Sequence, residues 1–433
     1  MVLGMTLSQT LLAETDDLYV PDYKLNVYKA LPTALRCMDV QVPRDDLLGE
    51  PAVRAHLTAN DALKAERVIF CIVDSLGINN MEGTPLAKLF SDLRGVTLSS
   101  TFPTITSSAV TSIHLGVPPT THGILGHQIY FREYGVLVDT LRMAGADVRA
   151  RDAIPYAGID VRVLRWANSI AEQLQETNSR VVYADCLPGH IAGTGIGHLF
   201  TLRSNTVPYT DYVDAFGALR HLLSRFSNQP LFVTLYVANI DFLAHKYGPY
   251  SPEYKEGCDT FLRHLRAFAE SLAAPVAKTT TIVITSDHGQ HPIRDERRII
   301  FTRDQLAEVK GTLRVPPGYS GRVMHFYCAS PAKRRRLKRW LQEQAGDRAV
   351  VMDIKDVNNA RLLPAPATRA IVDRLGDLLL LCRKGANPEI ERRGSENPPL
   401  DLLPPAPLLG SHGSTTVDEL YVPFLGFNAQ ALR

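Results

Sequence analysis

Three long apolar runs, at 67–73, 231–240 and 279–285, each break off at a polar group that contains an aspartate. The first ends in Asp74-Ser-Leu-Gly77, the second in Asp241-Phe-Leu-Ala-His245, the third in Ser286-Asp287-His288-Gly289. A strand with one wet face alternates apolar and polar residues. A continuous apolar run needs cover on both faces, as in a parallel sheet between two helix layers. Helix-like stretches at 161–178, 211–226 and 252–272, and a strand-like one at 179–185, fall among these runs. Strands alternating with helices predict an α/β fold with a mostly parallel central sheet and helices on both faces. In such folds ligands gather at the carboxyl ends of the strands, which is where the aspartates stand. A chain of 433 residues has ample length for a large core.

The pattern changes near residue 300. A strand-like stretch at 322–328, a helix-like one at 331–344 and a second strand-like one at 349–354 form a small β-α-β segment. The expected organisation is an N-terminal arm (1–60), an α/β core (61–300), a small α+β cap insertion (301–365) and a return to the core (366–433). The return holds an apolar strand at 375–382, a Pro-rich loop at 397–407 and then Leu408-Leu-Gly-Ser-His412-Gly413. The basic run 333–339 lies on the short helix and reads as a solvated helix face.

Between the first two runs lies SSTFPTITSSAVTSIHLGVPPTTHGILGH, from Ser99 to His127. Small and apolar residues with helical spacing follow the FPTIT string, and Gly116 with Pro118-Pro119 stops that helix. Thr106 is therefore expected at a helix N-terminus, where free N–H groups and the helix dipole favour an anion. A hydroxyl there either caps the helix or attacks a phosphoryl group.

Asp74, Asp241, His245, Asp287, His288 and His412 supply carboxylate oxygens and imidazole nitrogens, donors that suit zinc or a similar divalent metal. Asp241 and His245, four apart, are expected to aim at one ion from one helical turn or a tight loop. Six such ligands with a hydroxyl are too many for one tetrahedral site and about right for two. Each has a bland alternative: Asp74 as a turn cap, Asp241 and His245 as a surface pair, His412 as a loop histidine. Asp287-His288 is the hardest to dismiss, because burying both without partners is costly.

Taken in order, Asp74, FPTIT with Thr106, Asp241/His245 followed by Tyr247-Gly248-Pro249, Ser286-Asp287-His288-Gly289 and Gly410-Ser-His412-Gly413 resemble the alkaline phosphatase superfamily. The nucleotide pyrophosphatase/phosphodiesterase-like branch is the most similar, through its FPTxT…HGI block. The resemblance spans roughly 65–425 and implies a mixed α/β sandwich with two metal ions. It implies that Asp241, His245 and His412 hold one ion, that Asp74, Asp287 and His288 hold the other, and that Thr106 bridges to the second as nucleophile. Ions about 4 Å apart stabilise both the attacking and the leaving oxygen. The chain departs from the branch at two positions. Ser107 stands where nucleotide-cleaving members carry an aromatic residue, and His127 where they carry an asparagine that contacts a phosphate oxygen. His127 is accordingly expected as a hydrogen-bond donor or acid in the site, with a structural histidine as the alternative.

The expected activity is metal-dependent hydrolysis of a phosphodiester or pyrophosphate through a covalent phosphothreonine on Thr106. Alternatives are a phosphomonoesterase or phosphonate hydrolase on the same site, or a non-catalytic binder of a phosphorylated ligand. The expected cofactors are two divalent ions, zinc first, with manganese or iron as alternatives. A sulfatase would need Cys or Ser in C/S-x-P-x-R; the nearest string, Cys186-Leu-Pro-Gly-His190, ends in His and reads as a turn. A net charge of only +2 offers no bulk attraction to a nucleic acid polymer or a membrane, so the expected partner is a small phosphorylated substrate. The six scattered cysteines form no CxxC pair and read as buried free thiols of a reducing compartment. With no leader-like pattern in residues 1–16 and no apolar stretch of transmembrane length, a cytoplasmic location is expected.

Overall fold

The computed structural model describes residues 10–38, 40, 47–49, 51–148, 150–177, 179–391 and 407–433. The strands of its two larger sheets are β1 (Arg67–Val73), β2 (Val96–Ser99), β3 (Val182–Pro188), β4 (Asn205–Tyr209), β5 (Leu231–Val237), β6 (Thr280–Thr285), β7 (Gly318–Ser320), β8 (Val323–Phe326), β9 (Ala349–Asp353), β10 (Leu378–Cys382) and β11 (Tyr421–Asn428). The central sheet runs β2-β11-β6-β1-β5-β3-β4. The neighbours from β6 through β4 pair in parallel, and only β11 pairs antiparallel, with β6 and β2. The expected mostly parallel α/β sheet is what the chain forms. Every residue of β1, β5 and β6 is buried. One apolar cluster, including Phe70, Ile72 and Phe232, lies on one side; another, including Ile69, Val233 and Phe261, lies on the other.

Several boundaries move from the sequence reading. Strand β5 stops at Val237, and Ile240 belongs to the next helix. The strand expected at 179–185 is β3, three residues later, so Cys186, Leu187 and Pro188 are strand rather than turn; the turn starts at Gly189. The helix expected over 161–178 is two pieces, a 3-10 turn Val161–Leu164 and a helix Ile170–Glu176. Ser169 restarts the second piece with a capping box to Glu172, and buried Arg165 bonds Glu172 across the break. A side chain that accepts from the backbone competes with helix continuation, so local capping chemistry won over apolar spacing. Asn178 lies outside the described residues, as do parts of the 1–60 arm and the Pro-rich loop short of Pro407.

The second sheet runs β7-β8-β10-β9. β10 lies between β8 and β9 and is antiparallel to both, so the expected β-α-β segment is split by a strand from beyond residue 365. Helix Pro331–Ala345 packs on it through Leu337 and Leu341. A three-stranded sheet of Gln128–Phe131, Val136–Asp139 and Ala144–Gly145 follows His127. Residues 25–38, in the expected arm, place Leu25, Val27, Leu31 and Leu35 in the same cluster as Phe70. Among the described residues no helix is long and apolar enough to cross a membrane.

Candidate metal centre

Sheet register brings the first two carboxylates together. Ile72 pairs with Thr285 across β1 and β6, so two residues further Asp74 and Asp287 emerge side by side. Val73 pairs with Val237 on the other flank, and the Asp74 N–H donates to the Val237 carbonyl at 3.0 Å. The chain then enters helix α2 (Asn239–Tyr247), which carries Asp241 in its first turn and His245 in its last. A short antiparallel pairing of Gly410–Ser411 with His291–Pro292 delivers His412 from the late loop.

The candidate ligand atoms fall into two groups. In each of the sets Asp241/His245/His412 and Asp74/Asp287/His288, one donor atom per residue lies within 4.8 Å of the others. In the first, Nε2 of His245 and of His412 lie 3.3 and 3.7 Å from Oδ1 of Asp241. In the second, Nε2 of His288 lies 3.2 Å from Oδ2 of Asp287 and 3.6 Å from Oδ1 of Asp74. The groups adjoin: the His288 and His412 rings stack with centroids 3.7 Å apart.

All three imidazoles are oriented alike. Nδ1 of His245 donates to the Gly410 carbonyl at 2.8 Å, that of His412 to Thr104 at 3.0 Å, and that of His288 to Gly289 at 3.1 Å. A carbonyl only accepts, so each ring carries a proton on Nδ1 and presents Nε2 inward. Outer hydrogen bonds orient metal-binding histidines in this way. Asp74 Oδ1 and Asp287 Oδ2 are buried without a hydrogen-bond partner. Two orphaned carboxylate oxygens beside an inward lone pair fit a divalent cation and fit little else.

The electrostatics agree. Burial, reinforced by the charges of Asp287 and Asp241, pushes the Asp74 carboxyl well above its usual range. Burial pushes Asp287 up to about 7 and lowers His288 to about 4. Burial opposes the charge of Asp241 too, but the imidazoles of His245, His412 and His288 outweigh it and hold that carboxyl low. Crowded, buried carboxylates need a cation to be fully ionised.

Thr106 is the first residue of helix α1 (Thr106–Leu115), which ends at Gly116 as expected. Its Oγ1 lies 3.0 Å from Nε2 of His288, so the hydroxyl adjoins the second group. His127 lies at the margin. Its ring is edge-on to His412 with centroids 6.4 Å apart, and its Nδ1 lies 2.8 Å from Oγ of Ser107. The two positions that depart from the family pattern therefore touch each other.

Sequence reasoning missed the residues that hold the ligands. The Tyr236 hydroxyl donates to Oδ2 of Asp74. The Ser75 hydroxyl donates to Oδ1 of Asp241 at 2.6 Å, and Nε2 of Gln290 donates to the same oxygen at 2.7 Å. Ser75 and Gln290 stand next to or near ligands in the sequence, which was their only signal. Tyr236 was hidden in an apolar run.

The family profile for type I phosphodiesterase/nucleotide pyrophosphatase matches residues 68–414. Among solved structures, human ectonucleotide pyrophosphatase/phosphodiesterase 5 is similar over 83% of this chain and 87% of its own, with 17% identity and a TM-score of 0.60. Phosphonoacetate hydrolase from Sinorhizobium meliloti 1021, in complex with phosphonoformate, is similar over 84% and 93%, with 19% identity and a TM-score of 0.55. The murine ectonucleotide enzyme 5, in an inactive threonine-to-alanine form with AMP, is similar over 83% and 87%, with 14% identity and a TM-score of 0.59. No curated protein matches the chain in sequence.

Proposed function

The chain belongs to the type I phosphodiesterase/nucleotide pyrophosphatase family, and we propose that it hydrolyses a phosphodiester or pyrophosphate through a covalent phosphothreonine on Thr106. The observation that carries this reading is the Thr106 hydroxyl, 3.0 Å from Nε2 of His288 at the start of a helix, beside two Asp/His groups with metal-binding geometry. The inactive threonine-to-alanine form of the murine relative is in keeping with it.

Asp241, His245 and His412 would hold one divalent ion, and Asp74, Asp287 and His288, with Thr106, the other. When bound, the ions lower the hydroxyl pKa and neutralise charge on the attacking and leaving oxygens. Thr106 Oγ1 loses its proton to solvent and attacks phosphorus; the Oγ1–P bond forms, the bond to the leaving oxygen breaks, and that oxygen takes a proton from solvent. Free N–H groups in the first turn of α1 donate to the non-bridging oxygens. His127 donates from Nε2 to one of them. Water then cleaves the phosphothreonine, releasing the phosphoryl product and restoring the hydroxyl. Zinc suits the mixed oxygen and imidazole donors. The six free, buried cysteines support a reducing, cytoplasmic setting. We read the second sheet as a cap beside the site.

A monoesterase or phosphonate hydrolase is the second reading. The Ser107–His127 contact favours it, since a serine there offers no ring to stack on a base. Turnover of bis(4-nitrophenyl) phosphate, 4-nitrophenyl phosphate and phosphonoacetate by metal-loaded protein separates the readings. A dominant rate on the diester supports the first; turnover of none of the three overturns both.

A further inference from the structure

The tip of the β7–β8 hairpin reaches out of the second sheet and touches two histidine loops of the metal centre. Ser320 is fully buried there. Its Oγ accepts the backbone N–H of His127 at 3.0 Å and lies 2.9 Å from Nε2 of His325. The direction of the second bond follows from the third: Nδ1 of His325 lies 2.8 Å from the Leu375 carbonyl and must donate to it. Burial lowers His325 to about 4, so the ring is neutral at neutral pH. Its Nε2 is then an acceptor, and the Ser320 hydroxyl donates to it. Every polar atom in the chain from Leu375 to His127 is satisfied in one sense only.

The same tip meets the His412 loop. The Arg322 N–H donates to the His412 carbonyl at 2.7 Å. Gly321, at φ +60, passes so close that a Cβ would lie 2.0 Å from that carbonyl oxygen. Gly126 makes the matching approach on the other side, where a Cβ would lie 2.3 Å from Ser320 Oγ. The side chain of Arg322 then anchors the tip, paired with Glu419 and donating to the Ala386 and Arg383 carbonyls.

On these contacts, and resting on the reading above in which His127 meets a phosphoryl oxygen, we propose that Ser320 is a positioning residue of the reaction. It sets the backbone of His127, while Ser107 sets the ring. The second sheet thus supplies one side of the phosphoryl site without placing a residue of its own against substrate. A displacement of about 1 Å in such a group costs on the order of 100-fold in rate.

A double-mutant cycle with metal-loaded protein tests this, read as kcat on bis(4-nitrophenyl) phosphate and as the dissociation constant of orthovanadate. Ser320→Ala lowers kcat and weakens vanadate binding ten-fold or more in the wild-type background, and less than two-fold in a His127→Ala background, with metal content equal throughout. A general loss of packing would cost the same in both backgrounds. Equal losses in the two, or a wild-type kcat in either single variant, overturn the proposal. If Ser320→Ala does not fold, His325→Phe removes the acceptor while keeping a ring, and the same cycle applies. Wild-type protein that neither turns over the diester nor binds vanadate refutes the underlying reading instead; wild-type protein that does both, with no His127-dependent loss, refutes only the role of Ser320.

Discussion

The hydroxyl of Thr106 stands 3.0 Å from Nε2 of His288, which lies 182 residues further along the chain. Helix α1 and the loop after β6 meet at this contact. The hydroxyl faces a candidate metal-ligand nitrogen, where a helix cap would face a backbone N–H. The Ile105–Thr106 start of α1 has no side-chain cap bond.

Thr106→Ala is expected to cut turnover by roughly 10⁴-fold or more while leaving metal content unchanged. Thr106→Ser should keep part of the activity. Ser107→Ala removes the bond to His127 and should cost about ten-fold. Rates with parallel elemental analysis decide the matter. An inactive Ser107→Ala beside an active Thr106→Ala would move the nucleophile to Ser107.

Elemental analysis of protein purified without chelator should find close to two divalent ions per chain. Chelation should abolish activity and lower the unfolding midpoint; ligand at 100 times its dissociation constant stabilises by about 2.7 kcal/mol. Full activity in metal-free protein would refute the two-ion site.

His412→Ala should empty the Asp241/His245 position before the Asp74/Asp287/His288 position, since Nε2 of His412 faces Asp241. Titration with cobalt, followed by its visible spectrum, resolves the two occupancies. Retention of both ions at normal affinity would reduce His412 to a loop residue.

Arg322 and Glu419 form an ion pair with both side chains fully buried. Glu419 also accepts from the Ser414 and Thr416 N–H groups of the His412 loop. Glu419→Ala leaves a buried guanidinium unpaired and should cost about 3–5 kcal/mol in denaturant unfolding. A loss below about 1 kcal/mol, the scale of an exposed pair, would contradict the buried geometry.

His114 is buried, stacked on Phe200 at 4.0 Å, and its Nε2 has no partner. Burial lowers its pKa to about 3. The unfolded state therefore binds a proton near pH 6.5 that the folded state refuses until about pH 3. Stability from this group is complete above pH 6.5 and is lost as pH falls toward 3, by about 1.4 kcal/mol per unit. His114→Phe should flatten the fall of unfolding free energy between pH 6 and pH 4 by about that slope. Parallel curves for the two proteins would show that His114 does not carry it.

Much of the candidate site was legible because most of its residues belong to local patterns that can be read without tertiary information. Asp74, Asp287 and His288 close apolar runs, and Asp241 and His245 lie one helical turn apart. A polar group at the end of a buried strand is a signal that needs no knowledge of neighbours. The parallel sheet was legible for the same reason, since strands covered on both faces read as continuous apolar runs.

Tertiary structure alone decided the rest. Strand β10 is as apolar as β1, yet it joins the second sheet, between β8 and β9. An apolar run states that a strand is buried but not which sheet buries it, because edge pairing depends on partners distant in the chain. Ser320 carries no sequence signal, and its place between His127 and His325 arises only when the hairpin tip is packed against the core. The sequence by itself determined which groups are costly to bury alone, since desolvation is a property of the residue. Which groups relieve that cost depends on pairings between strands and loops far apart in the chain, and those are made only when the whole core closes.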